Sequence, residues 1–423
     1  MNTHISNIVE AEVILATYIP QVTELLGKDL TLKRMDPLMK LLDHPENKIK
    51  LIHVAGTSGK TSTAYYVANL LKLSGKKVGL TVSPHIDSIT ERVQIDLMPI
   101  SEAEFCKNLS EFLSIIQYVE PRPTYFELII AFVYWYFAKA DVDYAVIETG
   151  LGGSYDATNV AKAATKVCVI TDIGLDHMNV LGNTIAQIAS QKAGIIHYSN
   201  HVFMYKQQKD VLDVVERYAA QQGATIHLVD DSLATLDTHL NTLPLYQQRN
   251  WLLAKSVFDF VSKRDDIIPI QDDISASSMD IQVPGRMDIT QLSGKTIIMD
   301  GAHNEQKMGA FVNSFQTKFP DQKAAILLSL KKGKEFEAVL PLLKPICSSL
   351  IITIFPKAQD LPTPAIEPEV LYEAAKKFGF NDVCIEKDYQ KAYQMLVTKD
   401  TDLCIITGSF YLIASIRRAM ANK

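Results

Sequence analysis

A glycine-rich loop joins an apolar run to a helix-like run early in the chain. The apolar run covers residues 51–55, and the loop reads Gly56, Thr57, Ser58, Gly59, Lys60, Thr61, Ser62. A strand that enters a glycine turn and continues as a helix directs backbone N–H groups and the positive helix end at phosphate oxygens. In such loops the lysine, here Lys60, contacts the β- and γ-phosphates, and the following hydroxyl, here Thr61, binds Mg²⁺. The segment therefore predicts an α/β fold that binds a nucleoside triphosphate.

The spacing of this loop differs from the common phosphate-loop pattern. That pattern has a glycine five residues before Gly59, where this chain has Val54. The loop is therefore a shorter variant. A plain Gly/Ser turn would accommodate the glycines, but it gives no reason for a lysine and a threonine at the start of the helix, so we favour phosphate binding.

Apolar strand-like runs alternate with helix-like patterns along the chain. The strand-like runs are residues 51–55, 77–82, 144–147, 166–171, 202–205, 296–300, 324–330, 350–355 and 403–407, with helix-like patterns such as 61–74 and 185–193 between some of them. This alternation predicts mostly parallel sheets covered by helices. A chain of 423 residues also exceeds what one hydrophobic core usually supports, so two domains are expected.

The boundary between the two domains is expected near Val283. Residues 265–283 are polar, Ser-rich and weakly periodic, and the strand pattern restarts after them. We therefore expect an N-terminal phosphate-loop, ATP-binding domain with a mostly parallel sheet over residues 1–283. A smaller, Rossmann-like α/β domain is expected over residues 284–423.

The composition is that of an ordinary soluble globular protein, with 47% hydrophobic and 21% charged residues. The net charge of -6 argues against nucleic acid as a partner. The chain starts without the basic region of a signal peptide, and the apolar run 128–138 is too short to span a bilayer, so we expect a cytoplasmic protein without membrane contact. The cysteines lack metal-ligand spacing and are expected to be reduced core residues; they are Cys106, Cys168, Cys347, Cys384 and Cys404.

Charged side chains follow two of the predicted strands, and open α/β sheets bind ligands at the carboxyl ends of strands. Glu148 directly follows the run 144–147 and precedes a glycine-rich stretch, so we interpret it as a Mg²⁺ ligand facing Lys60 and Thr61. The alternative is a solvated glutamate at a strand end. His177 comes after the run 166–171, and Lys192 follows it within about one helix length.

Lys192 has two readings. As a bare ammonium beside a metal it would be repelled, but it could serve if it were neutral or converted by CO₂ to an anionic carbamate. The alternative is a solvated lysine on a helix, and the sequence alone does not decide between the two interpretations.

Short motifs follow one another in order along nearly the whole chain. They are the loop at 56–62, Ser83-Pro84-His85 with Glu91-Arg92, Glu148-Thr149-Gly150-Leu151-Gly152-Gly153 with Asp156-Ala157-Thr158-Asn159, Gly174-Leu175-Asp176-His177, Leu181-Gly182, Lys192-Ala193-Gly194-Ile195-Ile196, Pro284-Gly285-Arg286, Asp300-Gly301-Ala302-His303-Asn304 and Thr407-Gly408-Ser409. No single motif is decisive, but the ordered set is specific. It resembles folylpolyglutamate synthase/dihydrofolate synthase, the folate branch of the ATP-dependent Mur ligase superfamily.

The resemblance implies a Mur ligase central-type first domain and a Mur ligase-type second domain, with ATP bound between them. The carboxylate of a folate or dihydropteroate substrate is phosphorylated to an acyl phosphate, which the amine of L-glutamate attacks to form an amide. A monomer that takes only small-molecule substrates is implied. Domain closure is expected to bring Arg286 and His303 onto the nucleotide.

The resemblance also assigns site residues. It implies two Mg²⁺ ions held by Thr61, Ser83, Glu148 and His177. Catalytic roles fall to Lys60, His177, Lys192 and Arg286, with a carbamate on Lys192 and a K⁺ ion as further candidates. The nucleotide contacts are Asn250 near the adenine, Asp300 near the ribose, Arg286 near the phosphates, and His303.

Three positions depart from the folate branch. The usual Asn-Gly-Lys-Gly loop is replaced by Ser58-Gly59-Lys60-Thr61, the usual Arg after Gly-Gly by Ser154-Tyr155, and the usual Glu before Lys192 by Gln191. Alternatives are therefore a Mur-ligase-like paralogue that joins an amino acid to another carboxylate, and a non-catalytic nucleotide-binding paralogue. The choice between dihydropteroate and folate as acceptor also stays open.

Overall fold

The computed structural model describes residues 4–20, 31–230, 240–268, 276–292, 294–356 and 364–421. Residues 269–275 of the polar segment 265–283, and the first three residues of the chain, lie outside this description. The chain divides into two compact units. The first comprises Met1–Leu240 with Gln247–Ile281, and the second comprises Asn241–Tyr246 with Gln282–Lys423.

An eight-stranded sheet is the centre of the first unit, as far as its described residues go. Its strands are β1 Lys50–Ala55, β2 Val78–Thr81, β3 Gln94–Ile95, β4 Met98–Pro99, β5 Tyr144–Glu148, β6 Val167–Ile170, β7 His201–Tyr205 and β8 Thr225–Val229. The order across the sheet is β4-β3-β2-β5-β1-β6-β7-β8, and only the two pairings made by β3 are antiparallel. The prediction of a mostly parallel sheet is confirmed.

Helices accompany the strands of the first unit. They are α1 Ile8–Ala16, α2 Met35–Leu41, α3 Lys60–Leu73, α4 Glu102–Ile116, α5 Tyr125–Lys139, α6 Met178–Leu181, α7 Ile185–Ala193, α8 Lys209–Gln222 and α9 Leu245–Arg264, whose first two residues belong to the second unit. Helix α7 has the predicted bounds because Thr184 and Gln187 form a capping box at its start. Among the described residues, none of the helices has the length and apolar character needed to cross a membrane.

Helix α5 supplies much of the core on one face of this sheet. Its side chains Phe132, Tyr134 and Phe137 are fully buried. The ring of Phe132 packs edge-on against Phe105 and Phe112 of α4, with both centroid distances 5.4 Å. This aromatic stretch therefore belongs to the core.

The second unit contains a six-stranded sheet in its described part. The strands are β9 Asp288–Leu292, β10 Lys295–Asp300, β11 Ala324–Leu328, β12 Cys347–Ile352, β13 Val383–Ile385 and β14 Leu403–Thr407, in the order β13-β12-β11-β14-β10-β9. The helices are α10 Glu305–Lys318, α11 Phe336–Leu343, α12 Pro368–Lys377, α13 Tyr389–Val397 and α14 Phe410–Ala421. Only β9 and β10 pair antiparallel, so the predicted smaller α/β domain type is confirmed.

The predicted bounds of two strands in this unit were wrong. The sequence pattern predicts strands over the whole of 324–330 and 350–355. In the structure, β11 ends at Leu328 and β12 covers Cys347–Ile352. The two strands end together because Leu328 and Ile352 are the last partners of their ladder. Beyond these ends, Leu330 and Phe355 are still apolar and buried, but they do not continue the ladder.

The strand order decides which loops meet. Strand β1 lies between β5 and β6, with Val54 opposite Glu148 and Ala55 opposite Ile170. In parallel sheets the carboxyl ends of neighbouring strands share one edge. The loops that follow β1, β5 and β6 therefore converge.

Candidate active site

The phosphate loop joins β1 to α3 in a conformation that requires glycine at two positions. Gly59, which precedes the helix, has φ +91°, in the left-handed region. An added Cβ at Gly59 would lie 2.4 Å from Oδ1 of Asn250, and one at Gly56 would lie 1.8 Å from Oγ1 of Thr171. Asn250 of α9 thus lies directly against the loop. Its contact with the adenine remains a prediction.

Hydrogen bonds fix the loop to the segment that follows β6. The backbone N–H groups of Thr57 and Ser58 both donate to the carbonyl oxygen of Asp172, at 2.9 and 3.1 Å. The Thr57 hydroxyl donates to the carbonyl of Gly174 at 3.0 Å, and the Gly174 N–H donates back to the hydroxyl at 3.1 Å. The chain is therefore anchored to the phosphate loop a few residues before Asp176 and His177.

Two lysines converge on one carbonyl oxygen of the loop. Nζ of Lys60 donates to the oxygen of Gly56 at 3.0 Å, and Nζ of Lys192 donates to the same oxygen at 2.7 Å. Lys192 is only 4% exposed, in the last turn of α7. The solvated-lysine reading of Lys192 was therefore wrong. Both side chains therefore end at the phosphate loop, where a charged lysine can form strong charge-assisted hydrogen bonds to phosphate oxygens.

The side chains of Thr61, at the start of α3, and Glu148, at the end of β5, are joined by a hydrogen bond. The Thr61 hydroxyl donates to Oε1 of Glu148 at 3.0 Å, and the backbone N–H of Ser83 lies 3.3 Å from Oε2. Glu148 is 3% exposed, so the alternative of a solvated strand-end glutamate was wrong. Adjacent ligands of an octahedral Mg²⁺ ion, each at about 2.0–2.1 Å, lie roughly 2.9 Å apart. The observed spacing therefore fits Mg²⁺.

Thr61 and Glu148 are each followed in the chain by a residue with a buried hydroxyl. The hydroxyls of Ser62 and Thr149 are buried and have no hydrogen-bond partner among the described residues. In that same part of the chain, no group of three or more His, Cys, Asp or Glu side chains that could hold a metal is found. The candidate donors at Thr61 and Glu148 are a hydroxyl and a carboxylate, oxygen ligands that suit a hard cation which keeps several waters.

His177 occupies a turn directly before α6. Its backbone has φ 51°, in the left-handed region, and its side chain is 50% exposed. Nε2 lies 3.8 Å from Oδ1 of Asp176, and Oδ1 also accepts the backbone N–H of His177 at 3.1 Å. Asp176 thus binds the backbone of His177 at this turn, and the role of His177 as a metal ligand remains a prediction.

In the second unit, Arg286 and His303 meet at Phe410. The guanidinium of Arg286 lies 4.1 Å from the ring centroid of Phe410, within range of a cation–π contact. The ring of His303 meets Phe410 edge-on, with a centroid distance of 6.2 Å. An added Cβ at Gly301 would come within 2.2 Å of the same ring, so the glycine makes room for it.

Asp300 is committed to hydrogen bonds within its own unit. Oδ2 accepts the hydroxyl of Tyr246 and the backbone N–H of Met287, both at 2.8 Å, and Oδ1 accepts the N–H of Ala302 at 2.9 Å. Burial raises the pKa of Asp300, and the charge of Arg286 opposes the rise. The carboxylate therefore fixes the turn after β10, and its predicted contact with a ribose remains untested.

Phe410 and Tyr246 contact predicted site residues but were not themselves predicted from the sequence. Phe410 directly follows the motif Thr407-Gly408-Ser409, and that adjacency was the available signal. Tyr246 carries no local signal, because it reaches Asp300 only through the fold.

The two halves of the chain match two family models. The Mur ligase middle domain matches residues 54–250, and the Mur ligase glutamate ligase domain matches residues 285–410. The dihydrofolate synthase/folylpolyglutamate synthase of Mycobacterium tuberculosis is 30% identical over 392 residues, covering 83% of this chain and 79% of the relative. This chain belongs to the folylpolyglutamate synthase/dihydrofolate synthase family of ATP-dependent ligases. The family predicted from the ordered motifs is therefore confirmed.

Other members of the folylpolyglutamate synthase/dihydrofolate synthase family are similar over nearly their full length. The dihydrofolate synthase/folylpolyglutamate synthase of Bacillus subtilis is 29% identical over 418 residues, covering 92% of this chain and 94% of the relative. The structure of Mycobacterium tuberculosis folylpolyglutamate synthase complexed with ADP superposes with a TM-score of 0.85 at 27% identity, covering 98% of both chains.

Proposed function

We propose that this protein joins the amine of L-glutamate to the carboxylate of a folate-type substrate, with ATP cleaved to ADP and phosphate. A carboxylate is a poor electrophile at neutral pH, so it needs a good leaving group before an amine can attack it. Transfer of the γ-phosphoryl group gives an acyl phosphate. The attack of glutamate then expels phosphate and forms the amide.

The observation that carries this proposal is the convergence of Lys60 and Lys192 on Gly56 beside the Thr61–Glu148 pair. Phosphoryl transfer depends mainly on positioning and on positive charge at the transferred group. In our proposal Lys60 and Arg286 contact the phosphates, while Asn250, Asp300 and His303 contact the rest of the nucleotide. The relative from Mycobacterium tuberculosis that was solved with ADP supports a nucleotide site.

We assign the metal ligands to Thr61 and Glu148, with Ser83 and His177 as further candidates for two Mg²⁺ ions. When bound, Mg²⁺ offsets the negative charge of the phosphates and orients them. The Glu148 carboxylate is held in place by two donors, the hydroxyl of Thr61 and the backbone N–H of Ser83.

Lys192 is proposed to carry a carbamate formed with CO₂. As an ammonium close to a bound cation it would be repelled, whereas the carbamate is an anion. A K⁺ site and a monomeric state are further proposals drawn from the family. A cytoplasmic location and a division of the chain at residues 283/284 are further proposals drawn from the sequence pattern.

The test is phosphate release by the purified protein with ATP, Mg²⁺ and L-glutamate, together with either dihydropteroate or tetrahydrofolate. We expect release that requires all components. A glutamyl unit gained by dihydropteroate identifies dihydrofolate synthase activity, and one gained by tetrahydrofolate identifies polyglutamate activity. Nucleotide binding without turnover on either acceptor would contradict the proposal and favour a paralogue for another carboxylate.

A further inference from the structure

The carbonyl oxygen of Gln191 lies in the last turn of α7, where helix carbonyls lose their partners within the helix. The N–H of Gly194 donates to Ser190, and the N–H of Ile195 donates to Lys192. The intervening oxygen of Gln191 is instead bound from outside the helix. Ser154 donates to it twice, through its backbone N–H at 2.7 Å and through its hydroxyl at 3.1 Å.

Close packing surrounds these two hydrogen bonds. An added Cβ at Gly153 would lie 2.5 Å from the oxygen of Gln191 and 3.0 Å from Cα of Lys192. An added Cβ at Gly194 would lie 1.9 Å from the hydroxyl oxygen of Ser154. The loop after β5 and the end of α7 are therefore in contact with no room for an additional carbon at either glycine.

Asn159 joins the same two segments independently. Its side-chain N–H₂ group donates to the carbonyl of Ser154 at 3.1 Å and to that of Gly194 at 3.0 Å. The ring of His197 holds Oδ1 of Asn159 at 2.9 Å. The loop is thus fixed on both sides of the peptide that carries Lys192.

We propose that Ser154 is a positioning residue for Lys192. Ser154 holds the carbonyl of Gln191, the next residue is Lys192, and Nζ of Lys192 reaches Gly56 of the phosphate loop at 2.7 Å. The hydroxyl thereby adds to the contacts that hold the end of α7, and with it the backbone of Lys192, in position. This inference rests on the proposed function of Lys192.

The main variant is Ser154→Ala, which loses the hydroxyl but keeps the backbone hydrogen bond. Ser190→Ala is a matched control, because Ser190 lies on the same helix and its hydroxyl pairs with the Tyr218 hydroxyl of α8 at 2.9 Å. Ser154→Thr keeps the hydroxyl and tests rescue. We expect Ser154→Ala to lower kcat roughly threefold to tenfold, the effect of one neutral hydrogen bond, with KM for ATP and L-glutamate nearly unchanged.

A second measurement reports on the position of Lys192 without any turnover. Native protein is acylated slowly, and labelling of Lys192 is compared by mass spectrometry with labelling of Lys166, a fully buried lysine whose Nζ donates to Ala161 and Ile195. A loss of global stability would speed both reactions. We expect the ratio of Lys192 to Lys166 labelling to rise in Ser154→Ala, to stay constant in Ser190→Ala and to recover in Ser154→Thr.

The outcomes separate this inference from the proposed function. An unchanged labelling ratio in Ser154→Ala overturns the positioning role, whatever the kcat of that variant. A raised ratio with unchanged kcat supports the positioning of the amine and contradicts the role proposed for Lys192 in ligation.

Discussion

The ammonium group of Lys192 donates a hydrogen bond to the carbonyl oxygen of Gly56 over 2.7 Å. Lys60 binds the same oxygen at 3.0 Å, so the end of α7 and the start of α3 meet at one atom of the phosphate loop. Because a carbonyl oxygen can accept two hydrogen bonds, both lysines can bind this one atom. The fold therefore brings Lys60, which we assign to the phosphates, and Lys192, the proposed carbamate site, to the same point of the phosphate loop.

Replacing Lys60 should abolish ligation without unfolding the protein. Lys60→Ala removes a cation that we assign to the phosphates, and we expect kcat/KM for ATP to fall at least about a hundredfold. Lys72→Ala is the control, since Lys72 lies exposed in the last turn of the same helix. Circular dichroism should be the same for both variants. Normal ligation by Lys60→Ala would remove this residue from the site.

Glu148→Gln should change the dependence of activity on Mg²⁺. The amide keeps an acceptor for the Thr61 hydroxyl but loses the charge that attracts the cation. We expect the Mg²⁺ concentration for half-maximal activity to rise roughly tenfold or more. Glu111→Gln, at an exposed glutamate paired with Lys139, should leave the Mg²⁺ titration as in the wild type. Equal titration curves for the two variants would contradict the metal assignment.

Phe410→Leu should weaken nucleotide binding through Arg286. The guanidinium lies over the Phe410 ring, and a cation–π contact of this kind is worth roughly 0.5–2 kcal/mol. We expect KM for ATP to rise about threefold to tenfold. Phe319→Leu is a control in the same unit, because this half-buried ring packs on Phe315. A KM that is the same in both variants would argue against a role for the ring in orienting Arg286.

Lys166 should make stability depend on alkaline pH. Burial lowers the pKa of Lys166 from 10.5 to about 8, with the charge of Lys162 adding to the effect. Between pH 8 and 10.5 the unfolded chain therefore binds a proton that the folded protein lacks, so the free energy of unfolding rises with pH in that window. Below pH 8 the cost of the buried charge is fully present.

The measurement is urea unfolding of the wild type and of Lys166→Met at several pH values. Between pH 8 and 10.5, the free energy of unfolding of the wild type should rise relative to that of the variant. The expected rise is up to about 3 kcal/mol, the free energy that corresponds to this pKa shift. The two hydrogen bonds lost in the variant do not titrate and cancel in the pH dependence. Parallel curves would show that Lys166 keeps an ordinary pKa when folded.

The meeting of Thr61 with Glu148 was predictable from the sequence. Both residues follow strand-like runs, and neighbouring parallel strands deliver their carboxyl ends to one edge. The bounds of α7 were equally readable, because Thr184 and Gln187 carry the capping signal locally. Such features depend on residues that are close in sequence or on a general rule of sheet topology.

Contacts between distant segments were not predictable in this way. Ser154 and Gln191 were noted as departures from the family, but their hydrogen bond exists only because the loop after β5 packs on the end of α7. Phe410 reads as a core aromatic, yet it supports Arg286 more than a hundred residues earlier. Pattern and propensity do not encode such pairings, since they arise from the packing of whole elements.

The central claim is most directly tested with an acceptor whose carboxylate carries ¹⁸O. The protein is incubated with ATP, Mg²⁺, L-glutamate and the labelled dihydropteroate or tetrahydrofolate. The masses of the acceptor product and of the released phosphate are then measured by mass spectrometry. An acyl phosphate pathway predicts an acceptor longer by one glutamyl unit and a released phosphate that contains one ¹⁸O atom. Release of unlabelled phosphate with no glutamyl gain would mean simple ATP hydrolysis and would contradict the account.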